Sequence, residues 1–302
     1  MKNLAEILMP YKTIAIAGMA KNVGKTTTLN HMIQGFASNG ITLGLTSIGL
    51  DGEETDQVTA TPKPRIFVPS STIIATAEKL LTKRELGIND AARKILSVMD
   101  GISTPLGRIV VAHTLSGGYV MLAGPSMVSQ IADVAQTLQN MGATKVIVDG
   151  AVGRKSLAVP HVAEAVVLAT GAALSSSMDE VITQTKHTAE LFNLPFVGAA
   201  LCRPPSDDET HIQGAVTEKK LDNLRGKHII AEDPSKILIS PKALAKLRLS
   251  GGSISVKNRS NLVAITINPT SPYGMGFDPV LFLERMQQSV DIPVYNIGGA
   301  LC

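Results

Sequence analysis

The chain has 302 residues, enough for two domains or one large α/β unit with a substantial buried core. Hydrophobic residues make up 44% and charged residues 18%, which excludes a disordered chain, and a net charge of +3 does not ask for a nucleic-acid partner. No apolar run approaches the roughly 18 residues of a membrane span, so no membrane partner is expected.

Aromatic residues are only 3% and Trp is absent, so Ala, Val, Ile and Leu must carry the packing. Buried parallel sheets flanked by helices are built from such residues. The two cysteines, Cys202 and Cys302, stand far apart and form no metal-spacing motif. A disulfide framework is not expected, and the cysteine usage suits a reducing cytoplasm. Met1 to Glu6 includes an acidic residue and runs soon into an apolar strand, unlike a signal peptide.

In chain order, Thr13–Ala17 reads as a strand, and a helix follows to about Ala37, where Asn39-Gly40 stops it. A second strand, Ile41–Ile48, ends at Gly49-Leu50-Asp51. Thr55 to Arg65 is polar and proline-bearing and reads as a long loop. Helices are predicted at about 73–82 and 89–99, the second capped by Asn89. Arg108–Ala112 and Tyr119–Ala123 flank Ser116-Gly117-Gly118 and predict a β-pair with a glycine turn. A helix from Ser126, as its N-cap, to about Asn140 precedes the strand Lys145–Val148. Strands at Ala165–Ala169 and Phe196–Ala200 enclose a helix from Ser177 to Phe192.

This βαβ alternation predicts an α/β fold: a mostly parallel sheet with helices on both faces. The pattern changes after Arg203-Pro204-Pro205, which sets a boundary between residues 1–203 and a smaller α/β extension over 204–302. That extension carries predicted strands at about 227–231, 236–240 and 262–267 and a helix at about 279–290. The turn-rich loop from Asn268 to Gly276 reads as a structural connection.

The chemistry begins at Gly18-Met19-Ala20-Lys21-Asn22-Val23-Gly24-Lys25-Thr26-Thr27, set between the first strand and the first long helix. Strand, glycine loop, Gly-Lys-Thr and helix together make a phosphate-binding P-loop. Amides of the loop and the new helix, from Gly18, Asn22, Val23 and Gly24 to Thr26 and Thr27, would surround one anion, which the helix dipole also favours. Lys25 would reach the β- and γ-phosphate oxygens of ATP, and the Thr26 hydroxyl would ligate Mg²⁺. The spacing departs from the usual four residues, since Gly18 and Gly24 enclose five.

A P-loop needs carboxylates to position Mg²⁺ and water. Asp149, closing the run Val146-Ile147-Val148, would hold the metal directly or through water, the alternative being a helix cap or loop aspartate. Asp51 would orient the attacking water or complete the metal shell. Glu53, Glu54 and Asp56 nearby leave a solvated acidic loop as the other reading of that stretch. His113 and His161 read as ordinary surface or core histidines.

The Gly-x5-Gly-Lys-Thr spacing, with Val148-Asp149-Gly150-Ala151-Val152-Gly153, resembles dethiobiotin synthetase and the related MinD-like class of P-loop proteins over residues 12–203. The resemblance implies ATP and Mg²⁺ as ligands and a catalytic-water or metal role for Asp51. It also has gaps. The substrate-binding lysine of dethiobiotin synthetase has no counterpart in residues 41–62, Ala20 stands where the MinD group has its lysine, and Cys202 stands where a base-reading asparagine is expected. Over its whole length the chain also resembles the smaller component of lysine 5,6-aminomutase reactivating factors, through Ala17–Asn30 and Val146–Ser156. That resemblance implies ATP-driven rescue of an adenosylcobalamin enzyme, with a second reactivase subunit and the aminomutase client as partners. The expectations are therefore three: an ATPase accessory factor, an ATP-dependent ligase or kinase acting on a small molecule, or a nucleotide-binding module without hydrolysis.

Overall fold

The computed structural model describes residues 2–49, 65–82, 91–150, 162–197, 209–224, 226–274 and 276–298. The first helix, α1 (Leu4–Leu8), opens on a capping box: Asn3 Oδ1 accepts from Glu6 N at 2.8 Å and the Glu6 carboxylate accepts from Asn3 N at 3.0 Å. Then come β1 (Thr13–Gly18), α2 (Lys25–Ala37), β2 (Leu43–Ser47), β3 (Ile66–Val68), β4 (Ile73–Ala77) and α3 (Glu78–Thr82). A hairpin of β5 (Arg93–Thr104) and β6 (Gly107–Thr114) leads to β7 (Gly118–Val120), α4 (Val128–Asn140), β8 (Lys145–Asp149), β9 (Ala165–Gly171) and α5 (Met178–Phe192). A second series holds β10 (Glu209–Ile212), β11 (Val216–Thr217), α6 (Glu218–Asp222), β12 (His228–Ala231), β13 (Ile237–Leu238), α7 (Pro241–Leu249) and β14 (Ser253–Val256). The chain ends its described course with β15 (Leu262–Asn268), α8 (Pro279–Ser289) and β16 (Val294–Asn296).

One nine-stranded sheet runs β16-β15-β9-β1-β8-β2-β4-β6-β5, parallel from β16 to β4 and antiparallel through β6 and β5. Its central strands are buried on both faces, which is why their sequences are continuous apolar runs. Alternation along β1 divides the two cores. Ile14 and Ile16 pack with α1 and α2, through Leu4, Leu8, Leu29, Met32, Ile33 and Phe36. Ala15 faces α4, through Ile131, Val134 and Leu138, and Ala17 faces α5 and α8, through Val181, Phe192, Phe282 and Met286. The α/β fold with helices on both faces is thus as expected.

Residues 209–256 form a three-stranded parallel sheet, β10-β12-β14, with its own apolar core. The chain then returns: β15 pairs with β9 and β16 with β15, so both belong to the large sheet. A division at residue 203 therefore misplaces the last strands, whose buried apolar run is accounted for by β9 on one side.

Three local expectations need correction. The helix over 89–99 is instead the strand β5 where it is described, and Asn89 lies outside the described residues. The helix over 73–82 is helical only from Glu78, because Ile73–Ala77 pairs with β2 and β6. Tertiary pairing outweighs local helix propensity in both segments. Nor do β6 and β7 form a pair across Gly117-Gly118. The hairpin is β5–β6, closed where Thr104 Oγ1 donates to Gly107 O at 2.9 Å, and β7 pairs with β3.

Lys145 fastens the N-terminal segment to the sheet. It is buried, and its Nζ donates to Met9 O at 2.5 Å and Tyr11 O at 2.8 Å, satisfying carbonyls where α1 ends. Burial holds its pKa below the usual lysine value. Lys145→Met is expected to lower unfolding stability by about 2–3 kcal/mol, since two charge-assisted bonds vanish and two carbonyls lose their donor. Urea denaturation midpoints of the two proteins measure this.

Candidate functional site

The site lies at the carboxyl ends of the parallel strands, where β1 turns into α2. Asn22 takes φ 60° and Gly24 φ 94°, two left-handed residues that wrap the loop and aim it into the helix. Met19 N donates to Ala169 O at 2.9 Å, pinning the loop to β9, and Val23 is fully buried beneath it. Gly24 occupies the N-cap of α2 without a side-chain cap, and no acidic residue stands in the helix's first turn. An anion is the complement of such a helix start.

Lys25 folds back over the end of β1. A Cβ placed on Gly18 would lie 2.6 Å from Lys25 Cδ and 3.2 Å from its Nζ, so the absence of a side chain at residue 18 makes the path for Lys25. The lysine is 7% exposed, an ammonium held close to the strand end and the loop. Thr26 and Thr27 are half-buried in the first turn. Thr28 Oγ1 donates to Gly24 O at 3.0 Å and lies 2.8 Å from Thr266 Oγ1 of β15, which fixes the first turn to the sheet.

Asp149 ends β8, the strand beside β1, in register with Ile16 on one side and Ser47 of β2 on the other. It is 3% exposed. Its carbonyl accepts from Ile48 N at 2.9 Å, and Gly150 N donates to Ile16 O at 3.1 Å. Adjacent strands thus bring Lys25, Thr26 and Asp149 to one end of the sheet. Among the described residues no three His, Cys, Asp or Glu side chains cluster as a metal cage. Mg²⁺ needs none, since it takes one or two protein oxygens and completes its shell with phosphate and water. The hard oxygens of Asp149 and Thr26 fit that requirement.

At the end of β2, Gly49 N donates to Pro125 O at 3.0 Å and Gly124 N donates to Ser47 Oγ at 3.2 Å. A Cβ on Gly124 would collide with Ser47 O, so this crossing demands glycine. Asp51, Cys202 and His161 lie outside the described residues.

A residue missed in the sequence borders the loop on its other side. A Cβ on Gly24 would lie 2.9 Å from Asn268 Cβ, 3.3 Å from Asn268 Nδ2 and 3.3 Å from Ile297 Cδ1. Asn268 closes β15, and its Oδ1 accepts from Thr270 N at 3.1 Å and Thr270 Oγ1 at 2.7 Å. Ala172 N donates to Asn268 O at 2.9 Å, which joins this loop to the end of β9. The Asn268 loop is therefore a wall of the β1–α2 loop as well as a structural connection. Its signal was a buried strand ending in Asn-Pro before a helix, the same strand-loop-helix order as β1, its loop and α2.

Gly24→Ala is expected to cost about 1–2 kcal/mol through its left-handed backbone alone, and it also drives a methyl into Asn268. A lowered thermal midpoint would show the combined cost.

No protein-family model, curated protein or solved structure matches this chain.

Proposed function

We propose that this protein binds Mg-ATP at the β1–α2 loop and hydrolyses it to act on a partner protein. The observation that carries the reading is Lys25 folded over Gly18 at an uncapped helix start, beside the buried Asp149. Lys25 and the first-turn amides of α2 would hold the phosphates, and Thr26 and Asp149 would hold Mg²⁺. Bound there, Mg²⁺ would neutralise charge on the phosphates and organise the attacking water.

A protein client rather than a metabolite is favoured by the lack of lysine in residues 41–62, which leaves a dethiobiotin-type substrate without its main positive charge. The 209–256 unit adds surface beyond what nucleotide binding requires. The client proposed is an adenosylcobalamin-dependent lysine 5,6-aminomutase, approached with a second reactivase subunit. The test inactivates that enzyme by turnover, then adds this chain, the partner subunit, Mg-ATP and fresh adenosylcobalamin. Recovery of activity is the expected result. No recovery, with ATPase stimulated by a small amine or acid, would assign the site to a ligase or kinase.

A further inference from the structure

The three-stranded sheet of the 209–256 unit carries a row of polar side chains across it. Glu209 of β10 is in register with His228 of β12, and His228 with Ser253 of β14. Ile229, Ala231, Ile254 and Val256 lie in the apolar core of the unit, so strand alternation sets Glu209, His228 and Ser253 on the opposite face. Carboxylate, imidazole and hydroxyl stand in the order in which acyl-transfer enzymes place an orienting group, a base and a nucleophile.

Ser253 Oγ and His228 Nδ1 are 2.5 Å apart. With Ser253 as the donor, Nδ1 is the bare nitrogen and the ring proton sits on Nε2. The two nitrogens lie on opposite edges of the imidazole, so with Nδ1 facing β14 the Nε2 edge faces β10. Glu209 stands on that strand, about 4.8 Å away at the backbone. Its negative charge favours this tautomer and the imidazolium formed when Nδ1 takes the serine proton. Ser253 is exposed, and a Cβ on nearby Gly251 would meet nothing within 4 Å, so a reagent can approach. The amides beside it are engaged: Gly251 N donates to Arg248 O at 3.0 Å, Gly252 N to Leu247 O at 3.0 Å and Ser253 N to Lys227 O at 3.2 Å. None of these three is left to hold an oxyanion. Acylation by a donor with a good leaving group can proceed without that help, whereas hydrolysis of the resulting alkyl ester, whose leaving group is the serine alkoxide, is slow.

We propose that Ser253 is a self-acylating nucleophile, which takes an acyl group from an activated ester or thioester and keeps it. Oγ bonds to the acyl carbon, and the bond from that carbon to the leaving oxygen or sulfur breaks. The serine proton passes to His228 Nδ1 and from there to the leaving group. This site is separate from the β1–α2 loop and does not rest on the reading of that loop.

The full chain treated with 4-nitrophenyl acetate tests this, with nitrophenolate release followed by absorbance and the acetyl group located by peptide mass mapping. A burst of about one nitrophenolate per chain is expected, with little turnover after it and the acetyl group on Ser253. Ser38, exposed and donating to Gln34 O at 2.9 Å, has a carbonyl where Ser253 has a base, and should stay unmodified in the same map. Ser253→Ala should abolish the burst. His228→Asn keeps a hydrogen-bond partner for Ser253 but no base, and should slow acetylation roughly 100-fold. Glu209→Gln should slow it about fivefold and Glu209→Asp should recover it, since charge rather than packing is what acts. No acetyl group on Ser253, acetylation no faster than at Ser38, an unchanged rate in His228→Asn, or steady ester turnover without an acyl-serine would overturn the proposal.

Discussion

Lys25→Ala is expected to weaken Mg-ATP binding by roughly 30- to 1000-fold, the equivalent of about 2–4 kcal/mol. The lysine is 7% exposed and lies along Gly18, so its ammonium would meet a phosphate with little competing water. Alanine is a good helix former at the start of α2, so the fold should persist and the loss should fall on the ligand. Competition against a fluorescent nucleotide measures it, with circular dichroism confirming that α2 and the sheet remain. Equal affinity in the two proteins would remove the loop from the account.

Asp149→Asn should separate binding from turnover. The amide is nearly the same size, so the buried end of β8 keeps its packing and its backbone bonds to Ile48 and Ile16. What would be lost is a negative charge at the proposed Mg²⁺ position. Nucleotide should still bind, while hydrolysis falls roughly 10- to 100-fold and the Mg²⁺ concentration for half-maximal activity rises. A steady-state phosphate-release assay across Mg²⁺ concentrations reads both. An unchanged rate at every concentration would take Asp149 out of the metal site.

The parts of this molecule legible in its sequence are those fixed by short-range physics. Thr13–Gly18 and Lys145–Asp149 announce themselves because strands buried on both faces must be continuously apolar. The helix starting near Ser177 was readable, and Ser177 Oγ accepts from Glu180 N at 3.3 Å, whereas the N-cap of α4 is Met127 and not Ser126. The loop from Gly18 to Thr27 is likewise read from local sequence, and in the structure Lys25 lies along Gly18 at the end of β1.

What the sequence hid depends on which strand lies beside which. Arg93–Thr104 is strand only because β6 supplies a partner, and no residue within it declares that pairing. Asn268 lies 244 positions after Gly24, since 268 − 24 = 244, and meets it only because β9 and β15 stack outward from β1. The return of β15 and β16 to the large sheet, after the 209–256 unit, was hidden for the same reason.

The central claim is that the β1–α2 turn is a nucleotide site, and calorimetric titration of the full chain with ATP, with and without Mg²⁺, tests it most directly. Saturable binding of one nucleotide per chain, tightened by Mg²⁺ and competed by ADP but not by AMP, is the result expected from a loop that grips the β-phosphate. Absence of binding at millimolar ATP, or equal affinity for AMP and ATP, would contradict it.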